Sequence, residues 1–241
     1  MVTASRGTEG ALAEELVELG CRGVRAASAA VEFTGTLVDA ARVCLASRIG
    51  VRVLAPVADF RCPDGATLYE RVRAVDWSEL LSPRHTLAVS ASCRESALAH
   101  EMFVAQRTKD AIVDQLRDRH GERPSVDRAD PDLGLAVRVV RDRATVALDV
   151  SGTSLHLRGY RVPGAEAPLK ETLAAAVVRL SGWDRQTPLV DPMCGSATLA
   201  IEADLWARRV APGLARPRLG LERWASHDDT LRTALARLRE E

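Results

Sequence analysis

Residues 189–203 read LVDPMCGSATLAIEA: two apolar residues, an acid, a turn of small residues and a helical pattern. This order predicts a short strand that ends at Asp191, a tight loop, and the first turns of a helix. Backbone N–H groups at the start of such a helix point into the loop, and the helix dipole favours an anionic ligand there. Gly195 and Ser196 leave room for a ligand to approach the main chain. The stretch indicates a nucleotide-type binding loop, and the plain alternative is a Gly/Ser turn before an amphipathic helix.

The order Asp191-Pro192-Met193-Cys194-Gly195-Ser196, followed by Ala197 and Thr198, resembles the S-adenosylmethionine loop of the class I RNA methyltransferases that follow a THUMP domain. Within that family, the likeness is greatest to the bacterial 23S rRNA guanine-N2 methyltransferases. The family usually has a second glycine where this chain has Ala197. A methyl group there is tolerable if φ is negative and obstructive if φ is positive. The resemblance implies S-adenosylmethionine as cofactor, bound by Asp191, Pro192, Cys194, Gly195, Ser196, Ala197 and Thr198.

The first 58 residues alternate between strand and helix patterns in the order β-α-β-β-α-β. Apolar residues at helical spacing predict one helix over residues 8–19 and a second that begins at Thr36. Short strands are predicted at residues 2–4, 23–27, 30–33 and 51–54. This order is typical of the ferredoxin-like fold, so we expect a ferredoxin-like region of the α+β class over residues 1–58.

Residues 59–158 resemble a THUMP domain, an RNA-binding module found in tRNA and rRNA modification enzymes. The resemblance depends on Leu68-Tyr69, on Asp76-Trp77, on residues 107–112 (RTKDAI) and on residues 149–161 (DVSGTSLHLRGYR). Basic side chains of this region can neutralise phosphates, and an aromatic ring can stack on a base. The alternative is a solvated charged surface. The resemblance makes the following residues candidates for RNA contact: Lys109, Arg158, Tyr160 and Arg161.

Pro163, Gly164 and Pro168 predict a linker over residues 159–168. Residues 169–241 then predict the beginning of an α/β Rossmann-like methyltransferase domain, whose first helix covers residues 170–180. In the family, a matching helix borders the methionine end of the cofactor. This implies a cofactor contact for Thr172, and the alternative is an ordinary first-turn helix residue.

Methyl transfer to an amine requires the donor carbon and the nitrogen to be held in line. Amino-methylating relatives use Asn or Asp, then Pro-Pro, then an aromatic residue, and this chain contains no Pro-Pro pair. We therefore assign no catalytic residue, and we expect a chain that is truncated at its C-terminus or is a degenerate remnant. Three functions stay open: part of an rRNA guanine-N2 methyltransferase, a stand-alone THUMP-type RNA-binding protein, or a fragment of a Rossmann-like small-molecule enzyme.

The composition limits the partners. Basic and acidic residues number 33 each, so RNA contact would need local patches of positive charge. The five cysteines show no C-x-x-C spacing, and no histidine stands at ligand spacing from a cysteine, so we expect no metal site. No apolar run approaches the roughly 20 residues of a membrane span, so no membrane partner is expected. We predict a cytoplasmic protein whose partner is structured RNA, with ribosomal RNA as the expected one.

Overall fold

The structure, a computed structural model, describes residues 1–161 and 169–240. They divide into two compact units. The first contains Met1–Val53, Thr153–Leu219 and Thr230–Glu241, and the second contains Leu54–Gly152 and Gly220–Asp229. The predicted linker residues Pro163, Gly164 and Pro168 lie outside the described residues. The first unit therefore combines the N-terminal region with the segment that carries the predicted cofactor loop.

The N-terminal region has the predicted β-α-β-β-α-β order. Its strands are β1 (Val2–Thr3), β2 (Arg22–Ala27), β3 (Ala30–Thr34) and β4 (Arg52–Arg61), and its helices are α1 (Glu9–Glu18) and α2 (Leu37–Ala46). The strands are antiparallel in the order β2-β3-β1-β4, and Val2 of β1 pairs with a residue of β3 on one side and of β4 on the other. This arrangement confirms the ferredoxin-like prediction. From Leu54 onward β4 is part of the second unit and pairs there with β8 (Arg143–Asp149), so it is much longer than the predicted strand over residues 51–54.

Local sequence explains why α2 begins where it does. Thr36 Oγ1 accepts a hydrogen bond from the backbone N–H of Asp39, and the Asp39 carboxylate accepts one from the N–H of Thr36. This reciprocal capping box satisfies two N–H groups that have no partner inside the helix. Leu12 and Leu16 of α1 are fully buried against the sheet side of the unit. The core is built from aliphatic side chains, in line with the aromatic content of 4%.

The second unit contains α3 (Gly65–Arg73), β5 (Thr86–Arg94), α4 (Glu101–His120), β6 (Ser125–Val126), β7 (Leu133–Val140) and β8. The strand order is β4-β8-β7-β5-β6, with β5 parallel to both β6 and β7 and the other pairs antiparallel. The sequence predicts a hairpin whose turn is Asp142-Arg143. In the structure Arg141 and Asp142 turn the β7–β8 hairpin with φ of 49° and 56°, so the turn lies one residue earlier.

Apolar spacing over residues 100–120 predicts a buried stripe of Met102, Ala105, Ile112, Val113 and Leu116 on α4. Ile112, Val113 and Leu116 are buried as predicted, and the rest of the buried face differs. Met102 is 67% exposed, and polar residues that the apolar pattern left out are buried instead. The side chain of Gln115 accepts a hydrogen bond from the N–H of Trp77 and donates to the carbonyl of Val75, 2.6 Å away. A buried amide is stable here because its hydrogen bonds are satisfied. The buried residues of α4 are Val104, Thr108, Ala111, Ile112, Val113, Gln115 and Leu116.

The C-terminal segment contains α5 (Glu171–Leu180), α6 (Thr198–Ala207), a single 3₁₀ turn (Gly220–Arg223) and α7 (Asp229–Glu240). The strand predicted to end at Asp191 is not formed. A strand needs a hydrogen-bonded neighbour, and residues 169–240 contribute no strand to the described sheets that could be that neighbour. The segment before the loop is therefore unpaired. The sequence predicts a last helix capped by Ser226, with Asp229 as its capping-box partner. In the structure this helix begins at Asp229, three residues after Ser226.

Apolar spacing in residues 170–180 predicts that Leu173, Ala176, Val177 and Leu180 of α5 face inward. Ala176 is buried, which confirms its part of the prediction, but Val177 and Leu180 are 46% and 61% exposed, so theirs is wrong. The buried face is instead Glu171, Thr172, Ala174, Ala175, Ala176 and Val178. The small residues at the centre of this face let α5 pack closely against α6. Close packing of the two helices, and not the size of the apolar side chains, therefore decides which face of α5 is buried.

Candidate functional site

The predicted cofactor loop forms two successive tight turns before α6. Asp191 Oδ1 accepts a hydrogen bond of 3.1 Å from the backbone N–H of Met193. The carbonyl of Cys194 then accepts one of 2.7 Å from the N–H of Ala197. Pro192, Met193 and Cys194 are exposed. The loop is thus ordered by its own backbone, and its side chains do not fill a core.

The space around Gly195 is open. Its φ is +50°, and a Cβ built on it would meet no atom within 4 Å among the described residues. Among the residues that the structure describes, no side chain caps the first turn of α6. The hydroxyls of Ser196 and Thr198 share a hydrogen bond of 3.0 Å. Because first-turn N–H groups lack intrahelical partners, this end of α6 can accept a hydrogen-bonding or anionic ligand group.

Ala197 has φ of 57° and ψ of 22°, the left-handed conformation. Of the two possibilities that the sequence left open, this is the obstructive one for a side chain. The left-handed region costs a residue with a Cβ roughly 1–2 kcal/mol. A glycine, the usual family residue at this position, would adopt the same backbone without that cost.

An open cleft of about 590 Å³ lies beside the loop. Asp191 and Pro192 line one part of it, and Val177 and Val178 of α5 line another. A volume of this size lies within the range of small-molecule sites. The cleft does not include Thr172, which lies earlier on α5. Of the predicted cofactor residues, Asp191 and Pro192 therefore line this cleft. Thr172 lies on the buried face of α5, outside the lining of the cleft.

Thr172 is 1% exposed, and its Oγ1 has no hydrogen-bond partner in residues 1–161 and 169–240. The Oε2 atom of Glu171 beside it is buried and unpartnered in the same ranges. A buried polar atom without a partner costs free energy, so both atoms are suited to a polar group supplied by a ligand. The cofactor contact of Thr172 stays a prediction.

Two of the predicted RNA contacts are partly exposed and ion-paired. Lys109 Nζ lies 2.6 Å from Asp110 Oδ1. Arg161 Nε lies 3.0 Å from Glu171 Oε1, and its Nη2 donates to the carbonyl of Leu169 over 2.7 Å. The Lys109–Asp110 pair is partly exposed on both sides, so it is weak and Lys109 can exchange its partner for a phosphate. The carboxylate of Glu171 is only 3% exposed, so breaking its pair with Arg161 would leave a buried charge unpaired. RNA contact by these two residues stays a prediction.

The other two predicted RNA contacts belong to a buried cluster. The side chains of Arg158 and Glu202 are 2% and 0% exposed, and Arg158 Nε lies 3.1 Å from Glu202 Oε1. The hydroxyl of Tyr160 donates to the same oxygen over 2.8 Å. Burial raises the pKa values of Glu202 and Tyr160. A guanidinium buried in this way offers no exposed donor to a phosphate, so the structure gives Arg158 a packing role that the sequence pattern did not indicate.

Sequence reasoning missed Glu202 and the partners that surround it. Arg48 Nη2 donates to the carbonyls of Leu205 and Val210, over 3.1 and 2.7 Å, at the end of α6. Glu15 Oε1 accepts from the backbone N–H of Arg48 over 2.9 Å. The available signal was an acid among small apolar neighbours, as in the segment Ile201-Glu202-Ala203, because an acid there must be paired if the helix face is buried.

Two kinds of feature are absent from residues 1–161 and 169–240. No helix there is both long enough and apolar enough for a membrane span. No three side chains among the histidines, cysteines and acids of these ranges come together as a metal site.

Comparisons with known proteins match the whole domain order. The model of the RlmL ferredoxin-like domain matches residues 1–54, the THUMP domain model matches residues 64–149, and the RMKL-like methyltransferase domain model matches residues 158–240. The chain thus contains, in this order, a ferredoxin-like region, a THUMP region and a region that matches a methyltransferase domain. This confirms the predicted fold class, in which ferredoxin-like and THUMP regions precede the beginning of a methyltransferase domain.

Curated relatives of this chain carry the name "Ribosomal RNA large subunit methyltransferase K/L". The relative from Syntrophotalea carbinolica is 48% identical over 229 residues, which cover 93% of this chain and 32% of the relative. The relative from Methylococcus capsulatus is 46% identical over 230 residues, covering 94% of this chain and 31% of the relative. The chain thus spans about a third of the length of these relatives.

Solved structures of similar architecture include SMU.472, a putative methyltransferase complexed with SAH. It is 32% identical to this chain with a TM-score of 0.86, and the match covers 99% of this chain and 62% of that one. A predicted N6-adenine-specific DNA methylase from Listeria monocytogenes is 30% identical, with the same TM-score and the same coverage.

Proposed function

We propose that this chain is the RNA-binding and cofactor-loop portion of an S-adenosylmethionine-dependent rRNA methyltransferase that modifies the exocyclic amine of guanine. The observation that carries the proposal is the loop over residues 191–197. It is ordered, it is open above Gly195, and it leads into an uncapped helix. The SAH complex of SMU.472 supports the cofactor, and the names of the curated relatives support ribosomal RNA as substrate. A cytoplasmic location follows from that substrate.

The residues present suit S-adenosylmethionine. When bound, the cofactor supplies a methyl group made electrophilic by the attached sulfonium. We assign its binding to the turns around Gly195 and Ser196, with the first turn of α6 facing an anionic group. The Oγ1 of Thr172, buried and unpartnered in the described ranges, would bond to a polar group of the cofactor. Asp191 holds the first turn through its bond to the N–H of Met193.

The RNA-binding part of the proposal rests on partly exposed basic groups. Lys109 can exchange its partly exposed carboxylate partner for a phosphate, whereas Arg161 stays paired with the buried Glu171 and would contact a phosphate through its exposed part. On the second unit, the guanidinium of Arg107 lies 4.2 Å from the centre of the Tyr69 ring. Stacking holds this cation in place at little entropic cost. Arg158 and Tyr160 are left out of the proposed contacts because the Glu202 cluster occupies them.

The test is binding, because the Pro-Pro motif expected to hold the target amine is not among the 241 residues. The chain is titrated with S-adenosylhomocysteine in a calorimeter and with a structured fragment of large-subunit rRNA by fluorescence anisotropy. We expect saturable binding of both. Absence of cofactor binding would overturn the proposed cofactor site, and RNA binding without cofactor binding would favour the stand-alone RNA-binding protein.

A matched pair of glycine variants makes the test specific to the loop. Gly195 and Gly121 both have positive φ, of +50° and +75°, and both are open to an added Cβ. Gly195→Ala and Gly121→Ala therefore impose similar backbone strain at two places in the chain. We expect only Gly195→Ala to weaken binding of S-adenosylhomocysteine, by about tenfold or more, which corresponds to about 1.4 kcal/mol of binding free energy. Equal affinities of the two variants would contradict the assignment of the loop.

A further inference from the structure

The helix that follows the loop is held by buried charges, and these charges come from distant parts of the sequence. Glu202 lies one turn after Thr198, where α6 begins. Its Oε1 accepts a hydrogen bond of 2.8 Å from the hydroxyl of Tyr160 and lies 3.1 Å from Nε of Arg158. Both partners precede α5 in the chain. The N-terminal half of α6 is therefore fixed by a carboxylate with two defined partners.

The other end of α6 is held from the ferredoxin-like region. Arg48 Nη2 donates to the carbonyl of Leu205 over 3.1 Å and to that of Val210 over 2.7 Å. The backbone of Arg48 is fixed in turn, because its N–H donates to Glu15 and its carbonyl accepts from Nη2 of Arg158. A continuous set of polar contacts thus links α1, the turn after α2, residues 158–160 and α6.

Apolar packing alone would leave the rotation of α6 about its axis poorly defined. The helix is ten residues long and carries small residues such as Ala200 and Ala203, which fit several rotations. A buried carboxylate tolerates only the rotation that brings it to its donors, because an unpaired buried charge is costly. Glu202 lies one helical turn, about 5.4 Å, from Thr198, so a change in the rotation of α6 at Glu202 displaces the loop that ends at Thr198.

We propose that Glu202 is a positioning residue, which together with Arg158, Tyr160 and Arg48 sets the rotation of α6 and thereby the geometry of the loop over residues 191–197. This inference rests on the proposed function, because it assumes that the loop positioned by these four residues binds the cofactor. The ferredoxin-like region thereby contributes to cofactor binding without contacting the cofactor. Burial among these groups also raises the pKa of Glu202.

The test compares two tyrosines that make the same bond in different units. Tyr160 donates to Glu202 over 2.8 Å, and Tyr69 donates to Asp114 over 2.7 Å. Tyr160→Phe and Tyr69→Phe each remove one phenol–carboxylate hydrogen bond. Two readouts are taken for each variant: the affinity for S-adenosylhomocysteine and the hydrogen-exchange rates of the loop amides. We expect Tyr160→Phe to weaken the affinity about tenfold and to speed loop exchange by a similar factor, with neither change in Tyr69→Phe.

A purely structural role would give a different result. Both variants would then lose thermal stability, and both would keep the wild-type affinity and the wild-type loop exchange, which would overturn the proposal. Glu202→Gln provides the second perturbation, because it keeps an acceptor for Tyr160 and loses the charge facing Arg158. The double variant Tyr160→Phe/Glu202→Gln should weaken binding of S-adenosylhomocysteine by less than the product of the two single effects, since both substitutions act through the carboxylate of Glu202. Fully multiplicative effects would overturn the shared role.

Failure of the proposed function gives its own signature. If the wild-type chain does not bind S-adenosylhomocysteine, the cofactor assignment fails, and the exchange rates of the loop amides decide the positioning role alone. Faster loop exchange in Tyr160→Phe than in Tyr69→Phe supports it, and equal exchange overturns it.

Discussion

Replacement of Ala197 by glycine tests the backbone geometry of the loop. The left-handed conformation at φ 57° costs alanine roughly 1–2 kcal/mol that glycine does not incur. Glycine also loses more entropy on folding, which offsets about 0.4–1 kcal/mol of that gain. We therefore expect Ala197→Gly to raise the free energy of unfolding of the first unit by about 0.5–1 kcal/mol.

The same substitution three residues later provides the control. Ala200 lies in the interior of α6, where glycine costs about 1 kcal/mol relative to alanine. Ala197→Gly and Ala200→Gly are chemically identical changes with opposite expected signs, separated by about 1.5–2 kcal/mol. Urea denaturation followed by tryptophan fluorescence, to which Trp206 in α6 contributes, measures both. If Ala197→Gly lowers stability as much as Ala200→Gly does, Ala197 is not left-handed in solution and the loop does not have the turn that precedes α6.

Three further predictions follow from burial and close packing. Burial raises the pKa of Glu15 above its ordinary 4.5, so the wild-type chain loses stability as pH rises above that value. Glu15→Gln should therefore gain stability relative to wild type as pH rises above 4.5 in urea melts, and a pH-independent difference would refute this. A Cβ on Gly213 would lie 2.6 Å from the backbone of α2, whereas Gly10 has open space; Gly213→Ala should cost about 1–3 kcal/mol and Gly10→Ala should not destabilise, as thermal melts will show. Lys109→Ala should lower RNA affinity and reduce the salt dependence of binding by about one charge. Arg158→Ala should instead lower the free energy of unfolding by about 3–5 kcal/mol, because it leaves Glu202 buried without its cation. The reverse pattern would contradict the exposure of Lys109 and the burial of Arg158.

Much of the fold could be predicted because its signals are local. The capping box of Thr36 and Asp39 marks the start of α2, and Gly121 in the left-handed conformation ends α4. The β-α-β-β-α-β order follows from the alternation of periods along the chain. The loop over residues 191–197 could be placed for the same reason, because a turn of small residues before a helix is a property of adjacent residues.

What could not be predicted depends on partners far away in the sequence. Residues 189–191 have the composition of a strand, but pairing decides whether a strand forms. Val177 and Leu180 are apolar and exposed, since close packing of α5 selects its alanine face. The local sequence predicts that Arg158 is a surface arginine. The fold brings it beside Glu202, 44 positions later, and buries it there. Tertiary contacts overrode the local pattern at each of these positions.

The most direct measurement of the proposed cofactor loop is an amide chemical-shift titration of the 241-residue chain with S-adenosylhomocysteine. We predict saturable shifts at Gly195, Ser196 and Thr198 and at Thr172, with the amides of the second unit unchanged. Loop amides that stay unshifted at millimolar ligand, or shifts confined to the second unit, would contradict the assignment of this loop to the methyl donor.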